Sequence, residues 1–382
     1  MKISFFRQGV LPLVMVFSVC MASAQESKWQ HALTKVKNAM VSYAESGIDS
    51  NYLVYPERRL MVRVGGKNLW SGHKIYLPFS YGKDGEERLH KLFPGIENYE
   101  YIKIKSSASS SGVAVDVNYV GFSAGYTFNV SNRGVKYSFE IGSSGNSFGF
   151  MLGTSRNHLK EATVANYLMM PLYIEMFMQK GEPYDLKEIA KKFVVKGDDD
   201  MIDVVNWYAG AYYAFNGRRF SMSSTLSPDI IQRRSAGSFF VTADVNYTRL
   251  HTKAILEGDM EKFNSFLIGV GGGYGYNWTP DHGRLVVHAS MAPMISAYSR
   301  LSHSAYDEGK KMPEYESLKN INDKRMKLTV FGRANFGLSY NFSDRFVGGL
   351  YTQYIMRRSK NASDAYMKNW NLLANVYFGC RF

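Results

Sequence analysis

Strict alternation of apolar and polar positions is the main pattern of this chain, and it is clearest over the last thirteen residues. From Trp370 to Phe382 the even positions are mainly apolar, whereas the odd positions are mainly polar or small. Successive side chains of a β-strand point to opposite faces of the sheet. The pattern therefore predicts a long strand with one apolar face and one polar face.

The same alternation predicts eleven further strands. In one of them, Val113–Phe128, the apolar positions change parity near Val120, as a β-bulge would cause. Asn216-Gly217 is a hairpin signal and predicts a returning strand over Arg219–Leu226. The remaining predicted strands are 59–69, 134–141, 147–153, 203–215, 238–248, 265–278, 284–293, 324–342 and 345–357.

Three regions depart from the alternation. Residues 25–47 carry apolar side chains at helical spacing and predict a short amphipathic helix. Ser106–Ser111 has the composition of a flexible spacer. Residues 154–202 predict a helical insert, and counting strands back from Phe382 places this insert on the periplasmic side of a barrel.

The N-terminus has the pattern of a secretory signal peptide. Lys2 and Arg7 precede an apolar run, and Ala22-Ser23-Ala24 is a small-x-small cleavage site. We therefore expect a signal peptide over 1–24, an N-terminal helix or extension in the periplasm over 25–58, and a barrel over 59–382. With Cys20 removed, Cys380 is the one remaining cysteine, so no intramolecular disulfide is expected.

The predicted fold class is all-β: a transmembrane, antiparallel, up-and-down β-barrel of about 12 strands, with a helical insert and a short N-terminal helix. Beyond the signal peptide the sequence lacks 18 consecutive apolar residues, and only helices and closed barrels satisfy backbone groups inside lipid. The 27 Tyr, 24 Phe and 34 Gly suit the aromatic girdles and tilted strands of such barrels. A soluble secreted β-sandwich that acts as a binding module is the alternative.

The formal net charge of +13 indicates attraction to an anionic membrane surface or a lumen that favours anions. Nucleic acid is not an expected partner, because the protein is predicted to be exported and its sequence has no basic low-complexity tract. Alternatively, the basic residues form charge pairs that stabilise the barrel interior. Five basic residues are predicted on the lumen face: Lys136, Arg284, Lys327, Arg333 and Arg357.

His288 and Ser290 lie two residues apart on one strand face, a spacing that resembles the His-x-Ser of outer-membrane phospholipase A. A lipid hydrolase that uses this pair is an alternative function. Two features oppose it: the pair shares the polar face, and the sequence offers no evident acidic or amide partner for the histidine. The other histidines are scattered, so no metal site and no cofactor are expected.

Two segments carry a family resemblance. Val205–Ser221 and Gln232–Ser238 resemble motifs of an uncharacterised Bacteroidota outer-membrane β-barrel family, a domain of unknown function of the 4421 type. The resemblance implies an outer-membrane barrel and assigns no activity, so it transfers no catalytic residue. A structural role is expected for the second motif, whose residues are Gln232, Arg233, Arg234, Ser235 and Gly237.

The sequence thus predicts a non-enzymatic protein of the cell outer membrane that is either a passive channel or a structural and surface-binding element. The expected partners are outer-membrane lipids, including lipopolysaccharide, and the barrel-assembly machinery, for which Phe382 is the predicted signal. No oligomeric state is predicted.

Overall fold

The computed structural model defines most of the chain from residue 47 onward. The described residues are 34–35, 38, 41–42, 45, 47–79, 83–130, 135–145, 147–159, 161–167, 169–181, 183–197, 202–253, 259–307, 310–311, 328–360 and 364–382. The described residues between 34 and 45 are helical. The predicted signal peptide, 1–24, lies outside the described residues.

Twelve antiparallel strands pair in a closed ring, so the predicted twelve-stranded barrel is confirmed. Each strand pairs with the next barrel strand along the chain, and the last strand pairs with the first. The barrel strands are β2 (Leu60–Pro78), β3 (Tyr101–Tyr119), β4 (Phe122–Asn129), β5 (Val135–Ser144), β6 (Phe148–Leu159), β9 (Ile202–Ala214), β11 (Ala236–Lys253), β12 (Asp259–Trp278), β13 (Leu285–Asp307), β15 (Val330–Asn341), β16 (Phe346–Lys360) and β17 (Tyr366–Arg381).

Shorter strands and helices are present that are not part of the ring of twelve strands. Strand β7 extends the sheet beside β3, and β8 pairs with β7. A separate two-stranded ladder joins β1 to β10, and β14 pairs with β13. These elements are β1 (Leu53–Val54), β7 (Glu161–Asn166), β8 (Val194–Gly197), β10 (Ile231–Gln232), β14 (Lys310–Lys311), α1 (Lys83–Leu92), a 3₁₀ helix (Ile96–Tyr99), α2 (Met170–Gln179), α3 (Leu186–Lys192) and α4 (Ser223–Leu226).

The barrel wall is apolar outside and largely polar inside. In β17, Val376 and Phe378 are exposed on the outer face, whereas Tyr377 and Arg381 are buried in the lumen. This alternation matches the one predicted for Trp370–Phe382. Among the described residues, no helix is long and apolar enough to cross a membrane.

The two ends of the barrel differ in their connections. At one end, here named the turn end, four tight turns join successive strands at 120–121, 145–147, 279–284 and 342–345. The first and last barrel strands also begin and end there, because Leu60 and Arg381 lie at this end. The opposite end, named the loop end, carries the longer connections, including the helices α1, α2 and α3.

Two strand predictions are wrong. The predicted single strand Val113–Phe128 is the second half of β3 and the whole of β4, joined by a tight turn in which Val120 and Gly121 have φ values of 48° and 83°. Such a hairpin changes the apolar parity just as a bulge does. Residues Arg219–Leu226 do not form a strand but fold into the lumen, so the two errors cancel in the total of twelve.

The insert is also corrected in extent and side. Strand β6 continues to Leu159 and β9 begins at Ile202, so the connection between them is shorter than the predicted 154–202. It contains strands β7 and β8 as well as two helices. The predicted side came from counting strands back from Phe382, and that count included Arg219–Leu226, which is not a strand. Without it the insert lies at the loop end, opposite the tight turns and not on the side predicted.

Two further expectations are wrong. Ser106–Ser111 is not a flexible spacer but part of β3, paired along its length with β2. The closed ring also excludes the alternative of a β-sandwich, which has two separate sheets.

Candidate functional site

The connection between β9 and β11 folds back into the turn end of the lumen. We name residues 219–235 the plug. The side chains of Ser221, Ser223, Ser224 and Thr225 are almost completely buried although all are polar. Buried polar groups require hydrogen-bond partners, so the contacts of this segment determine whether it is held in place.

Side chains of the barrel wall bind the backbone carbonyls of the plug. Arg63 Nη1 donates to the carbonyl of Leu226 at 2.7 Å. Arg381 Nη2 donates to the carbonyl of Pro228 at 2.8 Å, and its second contact is Asn341 Oδ1 at 2.7 Å. Both arginines are buried. Arginine side chains of β2 and β17 therefore hold the plug, which does not pair with any of the twelve barrel strands.

Neutral wall side chains extend the same arrangement. Tyr377 Oη donates to the carbonyl of Thr225 at 3.1 Å, and Ser339 Oγ donates to that of Ser224 at 2.9 Å. Ser227 Oγ donates in the other direction, to Asn118 Oδ1 at 2.6 Å. Strands on several sides of the ring thus contribute, so the plug is attached around much of its perimeter.

Gln232 is the most connected side chain of the plug. Its Nε2 donates to the carbonyls of Arg219 at 2.6 Å and Arg234 at 2.9 Å. Its Oε1 accepts from the backbone N–H of Ser221 and from Asn277 Nδ2. All the amide's polar atoms are therefore used, and the two arms of the plug are tied together through one buried side chain.

Asp229 is buried beside a tight turn of the wall. Its Oδ2 accepts from the backbone N–H of Gly121. Burial raises the pKa of this loop carboxyl to about 7, against the smaller opposing effect of its hydrogen bonds. The plug therefore contains one group that titrates near neutral pH.

Asn277, His288 and Ser290 form a relay against the plug. His288 Nδ1 lies 2.7 Å from Asn277 Oδ1, and His288 Nε2 lies 3.0 Å from Ser290 Oγ. Strand pairing sets this geometry, because Asn277 is directly opposite His288 between β12 and β13. The amide partner that the sequence did not reveal is thus present.

Hydrogen bonding fixes the protons of this relay. Asn277 Nδ2 donates to the carbonyl of Ser221 at 2.8 Å, so Asn277 Oδ1 is the acceptor that faces the imidazole. Nδ1 of a neutral His288 therefore carries the proton, and Nε2 accepts from the hydroxyl of Ser290. Asn335 Nδ2 donates to the same hydroxyl oxygen at 3.1 Å. A base poised on a serine is the arrangement of nucleophilic catalysis.

The relay is enclosed. His288 is 0% exposed and Ser290 is 6% exposed, and both face the lumen. The ring of Phe220, a plug residue, lies over His288 with centroids 6.0 Å apart. A substrate would therefore have to displace the plug before it could reach the serine.

A hydrophobic core fills the loop end of the lumen. We name residues 161–197 together with 83–99 the cap. Ile174 of α2 and Ile189 of α3 belong to one buried cluster with Leu250, Phe263 and Leu301 of the barrel wall. The cap therefore packs its apolar side chains onto the inward faces of several strands.

Between plug and cap, the lumen contains charge pairs around a cavity of about 80 Å³. Lys67 Nζ lies 3.4 Å from Glu140 Oε1, and Tyr208 Oη donates to the same carboxylate oxygen at 2.6 Å. Arg333 pairs with Asp244 across the lumen. Nearer the plug, Arg63 pairs with Asp116 at 3.2 Å.

The structure places the five predicted lumen cations differently. Arg333 and Arg357 line the cavity, as expected. Arg284 does not: it is an exposed residue of a tight turn, where the chain reverses before β13 begins. Lys327 and the side chain of Lys136 lie outside the described residues.

The motif residues lie at the plug and its exit. Arg233 and Arg234 are exposed, and the Arg234 guanidinium lies 5.9 Å from the ring centroid of Tyr52. Ser235 Oγ accepts from the backbone N–H of Thr279 at 2.9 Å. A Cβ on Gly237 would clash with the hydroxyl of Tyr274. The ring of Phe382 points outward, while its backbone N–H donates to Leu60.

Sequence reasoning missed three sets of residues. Asn277 could have been found, because the hairpin register places it opposite His288. The plug residues Ser221–Ser227 had a signal in their run of Ser and Thr, which favours turns over strands. The wall residues Arg63 and Tyr377 had no local signal, since their plug contacts are long-range. Among the described residues, no three His, Cys, Asp or Glu side chains are grouped to hold a metal ion.

Comparison with solved structures finds membrane-protein barrels of low similarity. The outer membrane protease OmpT from Escherichia coli matches at 6% identity with a TM-score of 0.38, covering 86% of this chain and 98% of that one. The toluene transporter TodX from Pseudomonas putida matches at 11% and 0.29, covering 90% and 93%. The translocator domain of the autotransporter NalP from Neisseria meningitidis matches at 10% and 0.30, covering 92% and 97%. Such values carry no information about activity.

No curated protein matches the chain significantly. A family model does match, over residues 98–382, from within the 3₁₀ helix of the cap to the C-terminus. The matched range includes the plug, the relay and all barrel strands except β2. The chain therefore belongs to the family described as Domain of unknown function (DUF4421).

Proposed function

We propose that this protein is a non-enzymatic outer-membrane barrel that does not pass solutes in its resting form and that presents the cap at the cell surface as a binding element. The observation that carries this proposal is the filling of the lumen from both ends over the described residues. A polar plug occupies the turn end, and an apolar core occupies the loop end.

The outer face of the barrel supports a membrane location. Large apolar side chains such as Val64, Trp207, Val330 and Val376 are exposed around the ring. A monomeric soluble protein rarely exposes so continuous an apolar surface, whereas lipid-facing strands require one. Outer-membrane barrels have short periplasmic turns and longer extracellular loops. The turn end is therefore assigned to the periplasm and the loop end to the exterior.

The cap has a surface suited to binding. Helix α2 buries Met170 and Ile174, yet its other face is also apolar: Leu172 and Met176, and Met169 directly before the helix, are each more than half exposed. These three residues are spaced by three and four positions and form one stripe. Exposed methionines adapt to varied apolar partners. We assign this stripe to contact with an apolar surface of another protein outside the cell.

Solute permeability tests the closed lumen. Proteoliposomes that contain the folded protein are expected to swell in isotonic sugar no faster than empty liposomes, with a general porin as the positive control. Swelling at a rate comparable to that of the porin would reject a closed barrel and restore the passive channel.

The proposal also covers export and assembly. Residues 1–24 serve as a signal peptide, and the barrel-assembly machinery binds Phe382. In the membrane, the barrel contacts lipopolysaccharide and other outer-membrane lipids. Phe382 and Phe378 are both exposed on the outer face. Phe382→Ala is expected to lower the amount of folded protein in the outer membrane severalfold, whereas Phe378→Ala is the matched control. Equal effects of the two changes would argue against an assembly signal.

A Bacteroidota origin remains part of the same proposal and rests on the motif resemblance.

A second candidate function, ester or lipid hydrolysis, is favoured by one observation: the complete Asn277–His288–Ser290 relay. Its geometry would activate the serine as a nucleophile, with His288 as the base. The enclosure of Ser290 beneath the plug opposes this function, because the reaction would require the plug to move first.

A fluorophosphonate probe separates the two candidates. A hydrolase would label on Ser290 and lose the label in Ser290→Ala but not in Ser296→Ala, a buried lumen serine of the same strand that has no histidine partner among the described residues. The non-enzymatic proposal predicts no labelling of the folded protein. Labelling that depends on Ser290 would overturn it.

A further inference from the structure

Arg357 is a buried cation that forms no direct ion pair with a described carboxylate. It lies on the lumen face of β16 and is 8% exposed. Among the described residues it forms no ion pair and no hydrogen bond, and its Nε is completely buried without a partner. A buried charge that lacks a partner is strongly unfavourable, so the surroundings of this guanidinium call for an anion.

The cavity beside Arg357 has an excess of positive charge. Its described lining contains three cations, Lys67, Arg333 and Arg357, and two carboxylates, Glu140 and Asp244. Lys67 and Arg333 are each already paired with one of the carboxylates. Each pair is neutral by itself, so the described lining has an excess of one positive charge, that of Arg357, even though Asp244 is also near enough to attract it.

Neutral donors complete the lining. Asn371 lines the same cavity and has no hydrogen-bond partner among the described residues. It lies opposite Ile355 in the β16–β17 ladder, which makes it the diagonal neighbour of Arg357 on the lumen face. A planar guanidinium and a carboxamide on adjacent strands are suited to binding the oxygens of one small anion.

The size of the cavity limits the ligand. A volume of about 80 Å³ accommodates several water molecules, each of which needs roughly 10–15 Å³ by this measure. It is adequate for one tetrahedral oxyanion and too small for a sugar or a peptide. The plug and the cap lie on either side of it, so a bound anion would be retained within the barrel.

We propose that Arg357 and Asn371 form an internal binding site for a small oxyanion of the phosphate type, enclosed in the middle of the lumen. The anion neutralises the charge that the wall pairs leave over. This site does not depend on what the cap binds outside the cell.

Retention of radiolabelled phosphate tests the site. The full chain is folded into detergent in the presence of inorganic phosphate, then desalted. About one phosphate per chain is expected in the wild type, and at least a tenfold loss is expected in Arg357→Met. Arg284→Gln removes an exposed turn cation instead and is expected to retain phosphate normally. Equal retention by wild type and Arg357→Met would overturn the proposal.

Two further arms keep the test decisive. If Arg357→Met fails to fold, crystals of the wild type grown with selenate are expected to show an anomalous peak beside the Arg357 guanidinium, and a cavity without that peak would overturn the site. Folding with short-chain phosphatidylglycerol in place of inorganic phosphate addresses the other source of the same chemistry. Retention of the lipid, but not of free phosphate, would also contradict an enclosed anion site.

Discussion

The two mouths of the barrel are closed by contacts of opposite character. At the loop end, Ile174 and Ile189 of the cap pack against apolar wall residues such as Phe263. At the turn end, the plug is held by hydrogen bonds from Arg63, Arg381 and other polar wall side chains. Apolar packing is non-directional and is lost only when the elements separate. Hydrogen bonds to plug carbonyls can instead be exchanged singly with water.

This difference assigns separate roles to the two closures. The cap is part of the barrel's own hydrophobic core, so its removal is expected to cost global stability. The plug contributes little apolar burial, apart from a small cluster that includes Phe220 and Met222. It is therefore the segment expected to open first, and opening would expose the relay without unfolding the barrel.

The largest expected effect is at the cap. Ile174→Ala deletes buried methylene and methyl groups from a side chain that is 0% exposed, and is expected to cost about 2–5 kcal/mol in the free energy of unfolding. Leu172→Ala, on the same helix but 55% exposed, should change it by no more than about 0.5 kcal/mol. Urea unfolding in lipid vesicles measures both. Similar losses for the two variants would contradict an apolar closure at the loop end.

The next effect is at the centre of the plug. Gln232→Ala leaves two carbonyls and one backbone N–H without their partner, and buried unsatisfied groups cost about 1–3 kcal/mol each unless water reaches them. We expect faster amide hydrogen exchange in residues 219–235 and little change in the cap. Arg233→Ala removes an exposed neighbour and is the control. Acceleration spread equally over both ends would mean that the closures are one cooperative unit.

The smallest effect is a pH dependence confined to the plug. Burial raises the pKa of Asp229 from 3.8 to about 7, so the folded plug favours the protonated acid. The stabilisation that this proton provides is complete below pH 3.8 and is lost as the pH rises through 7. Exchange in the plug should therefore accelerate between about pH 4 and pH 7 beyond the intrinsic rate.

Asp229→Asn is expected to abolish this extra pH dependence, since the amide does not titrate. Asp281→Asn changes an exposed aspartate in a neighbouring turn and should leave the profile unaltered. If the Asp229→Asn profile follows that of the wild type, another group controls the plug.

The wall could be predicted from the sequence because a two-residue period is a local property. The outward face of β17, with Val376 and Phe378, follows directly from alternation. The reversal near Val120 was ambiguous, since a hairpin and a bulge both shift the parity by one. Ser106–Ser111 has low strand propensity, but partners in β2 override it.

The plug could not be predicted in the same way. Phe220 and Met222 alternate with serines and mimic a strand, yet their apolar side chains pack inside the lumen. Arg63 and Tyr377 are separated from their plug partners by 163 and 152 residues, so their contacts have no local signal. The His288–Ser290 pair was recognised from its spacing, but its enclosure depends on where the plug lies.

Single-channel conductance of four proteins tests the two independent closures most directly. The plug variant replaces residues 218–233 with a short Gly-Ser linker, and the insert variant replaces residues 160–201 in the same way. The double variant carries both replacements. In the insert variant the linker joins Leu159 to Ile202, which are already paired. Wild type and both single variants are expected to remain silent in planar bilayers, because one closure suffices. The double variant is expected to conduct. Steady conductance by the wild type or by the plug variant, or silence of a correctly folded double variant, would contradict a lumen closed separately at each end.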